Sequence, residues 1–464
     1  MKNICLLIAV AASFAAQAQE MPNKISPDDK VYGLSKLWEE VNYNFVYYNK
    51  INKNSWDSAY RSMIGIVQKT PNDYEYYHEL KGFCAMLKDG HTDVNYPQAI
   101  NGALYSSMFG KYKLFVSNIE NKAIITQTNA SAKDEIPYGS EITEVNGLPT
   151  KEYIRKFVAP YMSTSTDYIL QDWATRWMFR GVKGDKYEIA ILTPTGVKKK
   201  FSLEHDKTPE KELFPAADAT NNNNNLLEFK WYPDDIAYVA LNSFSDPKID
   251  TLFIQKLPEL YKAKAVILDL RNNTGGSTNV GVTILEYLTA DKYLYGAKTT
   301  TREHIPYYMA VGAYYSKNKA DMKDDPDAET KLKCFNGNLF FDLGSNIDTV
   351  NLTERRTVVP TAVLIGHNTA SAAEDFLIYA DNQKHIIKIG QNTCGSTGQP
   401  YSFTLPGGGS ARVCTKKDTY YDGREFVGVG VKPDIEVTPT VSDLLQKKDG
   451  TLDKALGVLK FKLK

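Results

Sequence analysis

Beyond residue 18 the sequence contains no apolar run long enough to span a bilayer, which argues against an integral membrane segment in the mature chain. It also lacks an excess of either charge: 55 Lys and Arg are matched by 55 Asp and Glu. A nucleic-acid backbone or an anionic membrane surface therefore finds no overall electrostatic partner, and function is left to local sites. Cysteine is scarce, five residues in 464, which excludes a disulfide-scaffolded architecture. Cys394 and Cys414 bracket an expected hairpin and are the pair best placed for a bridge; the alternative is buried free thiols. The six histidines include no H-E-x-x-H pattern and no Cys/His cluster, so no metal is expected. Neither G-x-G-x-x-G nor the P-loop spacing is present, so no nucleotide cofactor is expected either.

What is present begins with an export signal. Lys2, an apolar core from Ile4 to Phe14 and Ala16-Gln17-Ala18 have the order of a secretory signal peptide, giving residues 1–18 as signal and a mature chain starting near Gln19. The expected location is periplasmic or extracellular. On a prior of about 150 residues per domain the remainder holds roughly two to four domains. Residues 19–105 carry helix-period segments such as "KLWEEVNYNFVYYNK" and "DYEYYHELKGFCAMLKDG". Residues 106–205 switch to short strands, "YKLFVS", "KAIITQ", "YEIAIL" and "KKKFSL", with a helix near "TKEYIRKFV". Residues 206–227, with Pro, Ala and five consecutive asparagines, read as a linker. From 228 to 464, continuous apolar strands ("IAYVALNSF", "KAVILDLR", "TAVLIGH", "HIIKIG") alternate with helical patterns and end in a helical tail. Uninterrupted apolar strands fit a sheet buried on both faces, so this part is an α/β core. Residues 303–337, rich in Tyr and charge, interrupt the core pattern either as a mobile insertion over a site or as a plain surface excursion.

Three segments carry possible chemistry. In "KAVILDLRNNTGGSTNVG" a buried strand runs into Gly275-Gly276 before a helix; paired glycines let backbone N–H groups approach a ligand and form an anion-binding concavity, the geometry an oxyanion hole needs. An ordinary Gly-rich turn is the plainer reading. In "HNTASAAEDFLIYADNQ", Ser371 and Glu374 match the S-x-x-E capping box. The same strand-turn-helix junction would also expose a serine hydroxyl beside the Ala372 amide and the positive end of a helix. In "LKDGHTDVNYP", His91 follows an Asp-Gly turn and is either a structural residue or the base that a serine nucleophile requires. His367 is the local rival for that role.

Taken together, "LDLRNNTGG", "LIGHNTASAAED", "IGQNTCGSTGQP" and "DGREFVGVGVKPDIEVTP", with "DGHT" ahead of them, resemble the C-terminal-processing (tail-specific) peptidases and their tricorn-protease relatives. The resemblance implies a ClpP/crotonase-like α/β core, serine endopeptidase activity on peptide or protein substrates, and commonly an accessory PDZ domain. "IPYGSEITEVNGLPTKEYI" is similar to a PDZ phrase, without a GLGF-type carboxylate loop before "YKLFVS". Carried over by position, Ser371 matches the family nucleophile. The lysine base of the Ser-Lys branch falls at Ser396 and is absent. The tricorn-like branch uses a histidine ahead of the core instead, and His91 occupies the comparable place, with Gly90 where that branch has a serine. Glu425 is the nearest match to that branch's late glutamate, and Glu374 is a second acidic candidate. The implied site is thus Ser371, His91 and Glu425 or Glu374, with Gly275, Gly276 and Ala372 supplying oxyanion amides. A non-proteolytic relative that binds peptides or hydrophobic ligands is the alternative, and the 12% aromatic content suits it.

Overall fold

The computed structural model describes residues 21–215 and 225–464; the expected signal peptide and most of the asparagine run lie outside the described residues. The described residues fall into two compact units, one of residues 21–45, 50–215 and 400–413, the other of residues 46–49, 225–399 and 414–464.

The first unit opens with helices Pro27–Asn44, Lys53–Gln68 and Asp73–Ala85. Each starts where the sequence offers a side-chain cap: Ser26, Asn52 and Asn72 accept from the amides of Asp29, Ser55 and Glu75. Their apolar residues recur at helical spacing, Leu34, Leu37 and Val41 in the first and Tyr76, Leu80 and Phe83 in the third, and all are buried. Trp56 and Phe83 stack at 4.1 Å between ring centroids, joining the second helix to the third. An eight-stranded sheet follows, with Tyr112–Ile119, Lys122–Asn129, Glu141–Val145, Lys186–Leu192 and Lys198–Glu204 in neighbouring order. Its hairpins turn where the chain tolerates positive φ: Glu120 (53°) with Asn121 (59°), and Asn146 (51°) with Gly147 (77°). Alternating Tyr187, Ile189 and Ile191 face the core of this sheet. The expected linker region begins with order, since Leu213–Phe214 pairs with Thr128–Asn129. Residues 400–413 supply a hairpin to this unit, and strand Asp93–Asn95 pairs with it from Asp93 opposite Arg412 to Asn95 opposite Ser410.

The second unit is built on a six-stranded sheet in the order Leu227–Tyr232, Ile236–Leu241, Ala265–Asp269, Thr361–Ile365, Ile386–Gly390, Ile435–Glu436. Only the first pair is antiparallel. The apolar runs are continuous because both faces are covered. Val266, Leu268, Val363 and Ile365 face a core that includes Phe253, Leu285 and Phe376 from helices Lys248–Leu260, Thr278–Glu286 and Ala372–Tyr379. Ala265, Ile267, Ala362 and Leu364 face Ala455 and Leu459 of the C-terminal helix Gly450–Lys462. The 303–337 stretch is mainly helical (Pro306–Lys317 and Ala328–Phe335) and connects two strands of a separate three-stranded sheet, Tyr293–Arg302 and Phe340–Thr349.

Cys84, Cys334, Cys394 and Cys414 are all buried and in no disulfide. The bridge considered for Cys394 and Cys414 is therefore not formed, and the Cys414 thiol instead donates weakly to the carbonyls of Thr397 and Lys416.

Candidate active site

The carboxyl ends of the parallel strands deliver three loops to one place, as open α/β sheets do at their ligand crevice. Leu241 leads to Phe244, Asp269 to the Asn273–Gly276 turn and Ile365 to Ser371. The loops are stitched by backbone bonds: Phe244 N–H donates to the Gly275 carbonyl at 3.0 Å, and Ala370 N–H to the Asn273 carbonyl at 3.1 Å. Thr369 Oγ1 adds a bond to the Leu270 carbonyl at 2.9 Å.

Asn273, fully buried, shapes the glycine turn. Its Nδ2 donates to the Leu241 carbonyl at 2.9 Å, and its Oδ1 accepts the Gly275 N–H at 3.0 Å. The two glycines are sterically required. A Cβ on Gly275 (φ +99°) would lie 2.7 Å from Ser371 Cβ, 2.8 Å from the Ala370 carbonyl oxygen and 2.9 Å from the Ala372 nitrogen; one on Gly276 (φ +137°) would strike the Phe244 backbone at 2.2 Å. Gly275 thus packs directly on the Ser371–Ala372 peptide.

Ser371 itself sits at φ +55°, ψ −124°, a conformation that costs a residue with a side chain of order 1–3 kcal/mol. Strand Thr361–Ile365 feeds the turn, and helix Ala372–Tyr379 leaves it, with the half-buried Ser371 at the junction. Ser371 and Glu374 form a reciprocal capping box, the Ser371 side chain facing the Glu374 N–H and the Glu374 carboxylate accepting the Ser371 N–H at 3.1 Å, while the Glu374 N–H also donates to the Ser371 carbonyl at 2.7 Å. The Ala372 and Gly276 N–H groups have no hydrogen-bond acceptor among the described residues, whereas the Gly275 N–H is taken by Asn273.

Glu374, with no exposed surface, organises the turn from beneath. Its Oε1 accepts from the Thr393 hydroxyl and the Gly395 N–H (2.7 Å), and its Oε2 from the Ser371 and Ser396 N–H groups (3.1 Å each). Burial pushes this carboxyl up to about 7 despite those donors. Thr393 Oγ1 in turn accepts the Val431 N–H at 2.7 Å, and Gly428 N–H donates to the Gly395 carbonyl at 2.7 Å. The "NTASAAED", "QNTCGSTG" and "FVGVGVKPD" motifs therefore meet around one carboxylate. Ser396, where the lysine would stand, is buried, and its carbonyl accepts the Ser371 N–H at 3.1 Å.

The second unit thus brings together Ser371, Ala372, Gly275, Gly276 and Glu374. His367, half-buried, lies on the turn before Ser371. Glu425 is exposed and ion-paired with Lys417 at 2.6 Å. His91 belongs to the first unit, half-buried in a braced turn. There, buried Asp89 accepts from the Thr92 hydroxyl at 2.6 Å and from the His91 N–H, Gly90 N–H donates to Ser165 Oγ at 2.9 Å, and Arg412 Nη2 donates to the Gly90 carbonyl at 3.2 Å. Burial pushes the Asp89 carboxyl up to about 6. Among the described residues no group of three His, Cys, Asp or Glu is arranged to hold a metal, and no helix is long and apolar enough to cross a membrane.

Residues 235–437 match the sequence model of peptidase family S41, the segment that contains every element of this turn cluster. Over that segment the chain is similar to the peptidases of family S41. No curated protein matches the chain. Among solved structures, mature CPAF complexed with lactacystin is similar with a TM-score of 0.68 at 15% identity, over 94% of this chain and 98% of that one. A putative peptidase from Parabacteroides merdae is similar with a TM-score of 0.50 at 18% identity, over 94% and 97%. At such identities the likeness establishes a shared fold. Within that matched segment, sequence reasoning missed Asn273 and Thr393. Asn273 was detectable as an Asx residue two positions before a glycine; Thr393 acts through a carboxylate distant in sequence and left no local signal.

Proposed function

We propose that the chain is an exported serine endopeptidase with Ser371 as nucleophile and His91 as general base. Ser371 Oγ attacks a peptide carbonyl, and its proton passes to His91 Nε2 and then to the leaving amine. Water then releases the acyl group. The Gly276 and Ala372 amides receive the developing oxyanion. Gly275, whose amide serves Asn273, contributes by giving these groups room. Glu425 is carried forward as the carboxylate that orients His91, and Glu374 holds the turn. The roles of His91 and Glu425 rest on the sequence resemblance, and export rests on the Lys2, Ile4–Phe14 and Ala16-Gln17-Ala18 pattern of the N-terminus. The observation that carries the proposal is a serine held at positive φ at the start of a helix, with two acceptor-less amides in the adjoining turns.

A fluorophosphonate probe should label Ser371 in the mature protein, and Ser371→Ala and His91→Ala should each reduce cleavage of an accepted peptide by several orders of magnitude. Unlabelled Ser371 in folded protein, with Ser371→Ala cleaving as the parent does, would favour the binding relative instead.

A further inference from the structure

The two amides assigned to the oxyanion lie at the starts of two different helices, Thr278–Glu286 after Gly276 and Ala372–Tyr379 after Ser371. Their separation is not fixed by either helix alone. One direct side-chain bond joins the two first turns: Thr278 Oγ1 donates to Asp375 Oδ2 at 2.6 Å. Asp375 is 6% exposed, on the turn that also holds Glu374. Its other polar neighbours are the Lys416 ammonium, the Asp418 carboxylate that pairs with Lys416 at 2.7 Å, and the Thr397 hydroxyl. Burial pushes the Asp375 carboxyl up to about 6, so the protein keeps a costly group here. Packing behind the pair is apolar and close: Phe244 and Phe376 flank Gly281, where an added Cβ would stand 3.2 Å from the Phe244 ring.

We infer that Thr278 and Asp375 are positioning residues that set the spacing between the Gly276 and Ala372 amides, and through it the fit of the site to a tetrahedral oxyanion. The inference rests on the peptidase reading above. A bond that only stabilised the core would affect folding; a bond that sets two donors relative to each other affects the transition state more than the bound substrate.

The test uses the mature chain and a peptide aldehyde, whose serine adduct carries the same oxyanion. Thr278→Val should lower kcat about tenfold to a hundredfold with KM within about twofold, and should weaken aldehyde inhibition by the same factor as kcat/KM falls. Thr278→Ser, which keeps the donor, should restore both. Thr278→Ala supplies the same readout should the valine variant not fold. Parent-like kcat and aldehyde affinity in the hydroxyl-less variants overturn the inference, as does an activity loss that tracks the unfolded fraction or one that serine does not rescue. If Ser371→Ala abolishes cleavage while Thr278→Val does not alter it, the positioning role alone fails; if Ser371→Ala cleaves like the parent, the peptidase reading fails first.

Discussion

Replacing Glu374 by glutamine should change stability in a pH-dependent way. The parent carboxyl titrates near 4.5 in the unfolded chain and is pushed up to about 7 in the fold by burial. Its stabilising contribution is complete below the unfolded value and is lost as pH rises through the folded one, because the buried group must then ionise. Raising the pKa from 4.5 to about 7 corresponds to ~3 kcal/mol. Glutamine never ionises and keeps one acceptor oxygen. Its NH2 would disturb the fewest donors on the side facing Ser371 and Ser396, since Ser371 N–H retains the Ser396 carbonyl as an acceptor and Ser396 N–H loses its Glu374 oxygen. A buried donor that loses such an acceptor costs up to about 1–3 kcal/mol. The variant should therefore be the less stable protein near pH 5, with the gap closing or reversing by ~2–3 kcal/mol near pH 8.5. Urea unfolding followed by hydrogen exchange of peptides covering residues 361–379 isolates the second unit from the first, which a global signal from a two-unit chain would not. A variant-to-parent difference that stays constant across that pH range within about 0.5 kcal/mol would refute the reasoning.

Two further outcomes are expected. Gly275→Ala places a methyl against the Ala370 and Ala372 backbones at positive φ and should cost roughly 2–5 kcal/mol, with loss of Ser371 labelling in whatever folds, read by thermal unfolding and fluorophosphonate gel. Arg271→Ala leaves Asp269 and Asp449 facing each other without the guanidinium that pairs with both at 2.6 and 2.7 Å, and should cost about 3–5 kcal/mol in urea unfolding; a loss below about 1 kcal/mol would mean water takes over the role.

The parts of this protein that could be read from sequence are those in which neighbouring residues act together. Strand Ala265–Asp269 announced itself because both its faces are covered, making every position apolar up to the aspartate. The helix beginning after Ser371 was legible from S-x-x-E, and the Gly275-Gly276 turn from two adjacent glycines. What stayed hidden depends on residues far apart in the chain. The Glu374 carboxylate gathers donors from positions 371, 393, 395 and 396, so local pattern offered it either as a cap or as a catalytic acid but not as the hub of three motifs. The unbridged Cys394 and Cys414 are similar: flanking a hairpin made them candidates for a bridge, yet Cys414 turns its sulfur to the Thr397 and Lys416 carbonyls.

How the first turn spends its hydrogen bonds bears on whether Ser371 serves only as a cap. An ordinary capping serine has extended backbone and gives its hydroxyl to a first-turn amide. Ser371 instead sits at φ +55°, and its backbone carbonyl accepts both the Glu374 and Asp375 amides, at 2.7 and 3.0 Å. The backbone carbonyl thus shares the first-turn donors with the capping-box side chain. The Ser371 N–H is held by Glu374 and by the Ser396 carbonyl, so the strained residue is fixed from two sides. The strain at Ser371 and the desolvation of Glu374 are both unfavourable, and a plain helix start would need neither. A turn built this way leaves the Ala372 amide without an acceptor among the described residues, a feature that the proposed acyl-transfer chemistry requires and capping alone does not.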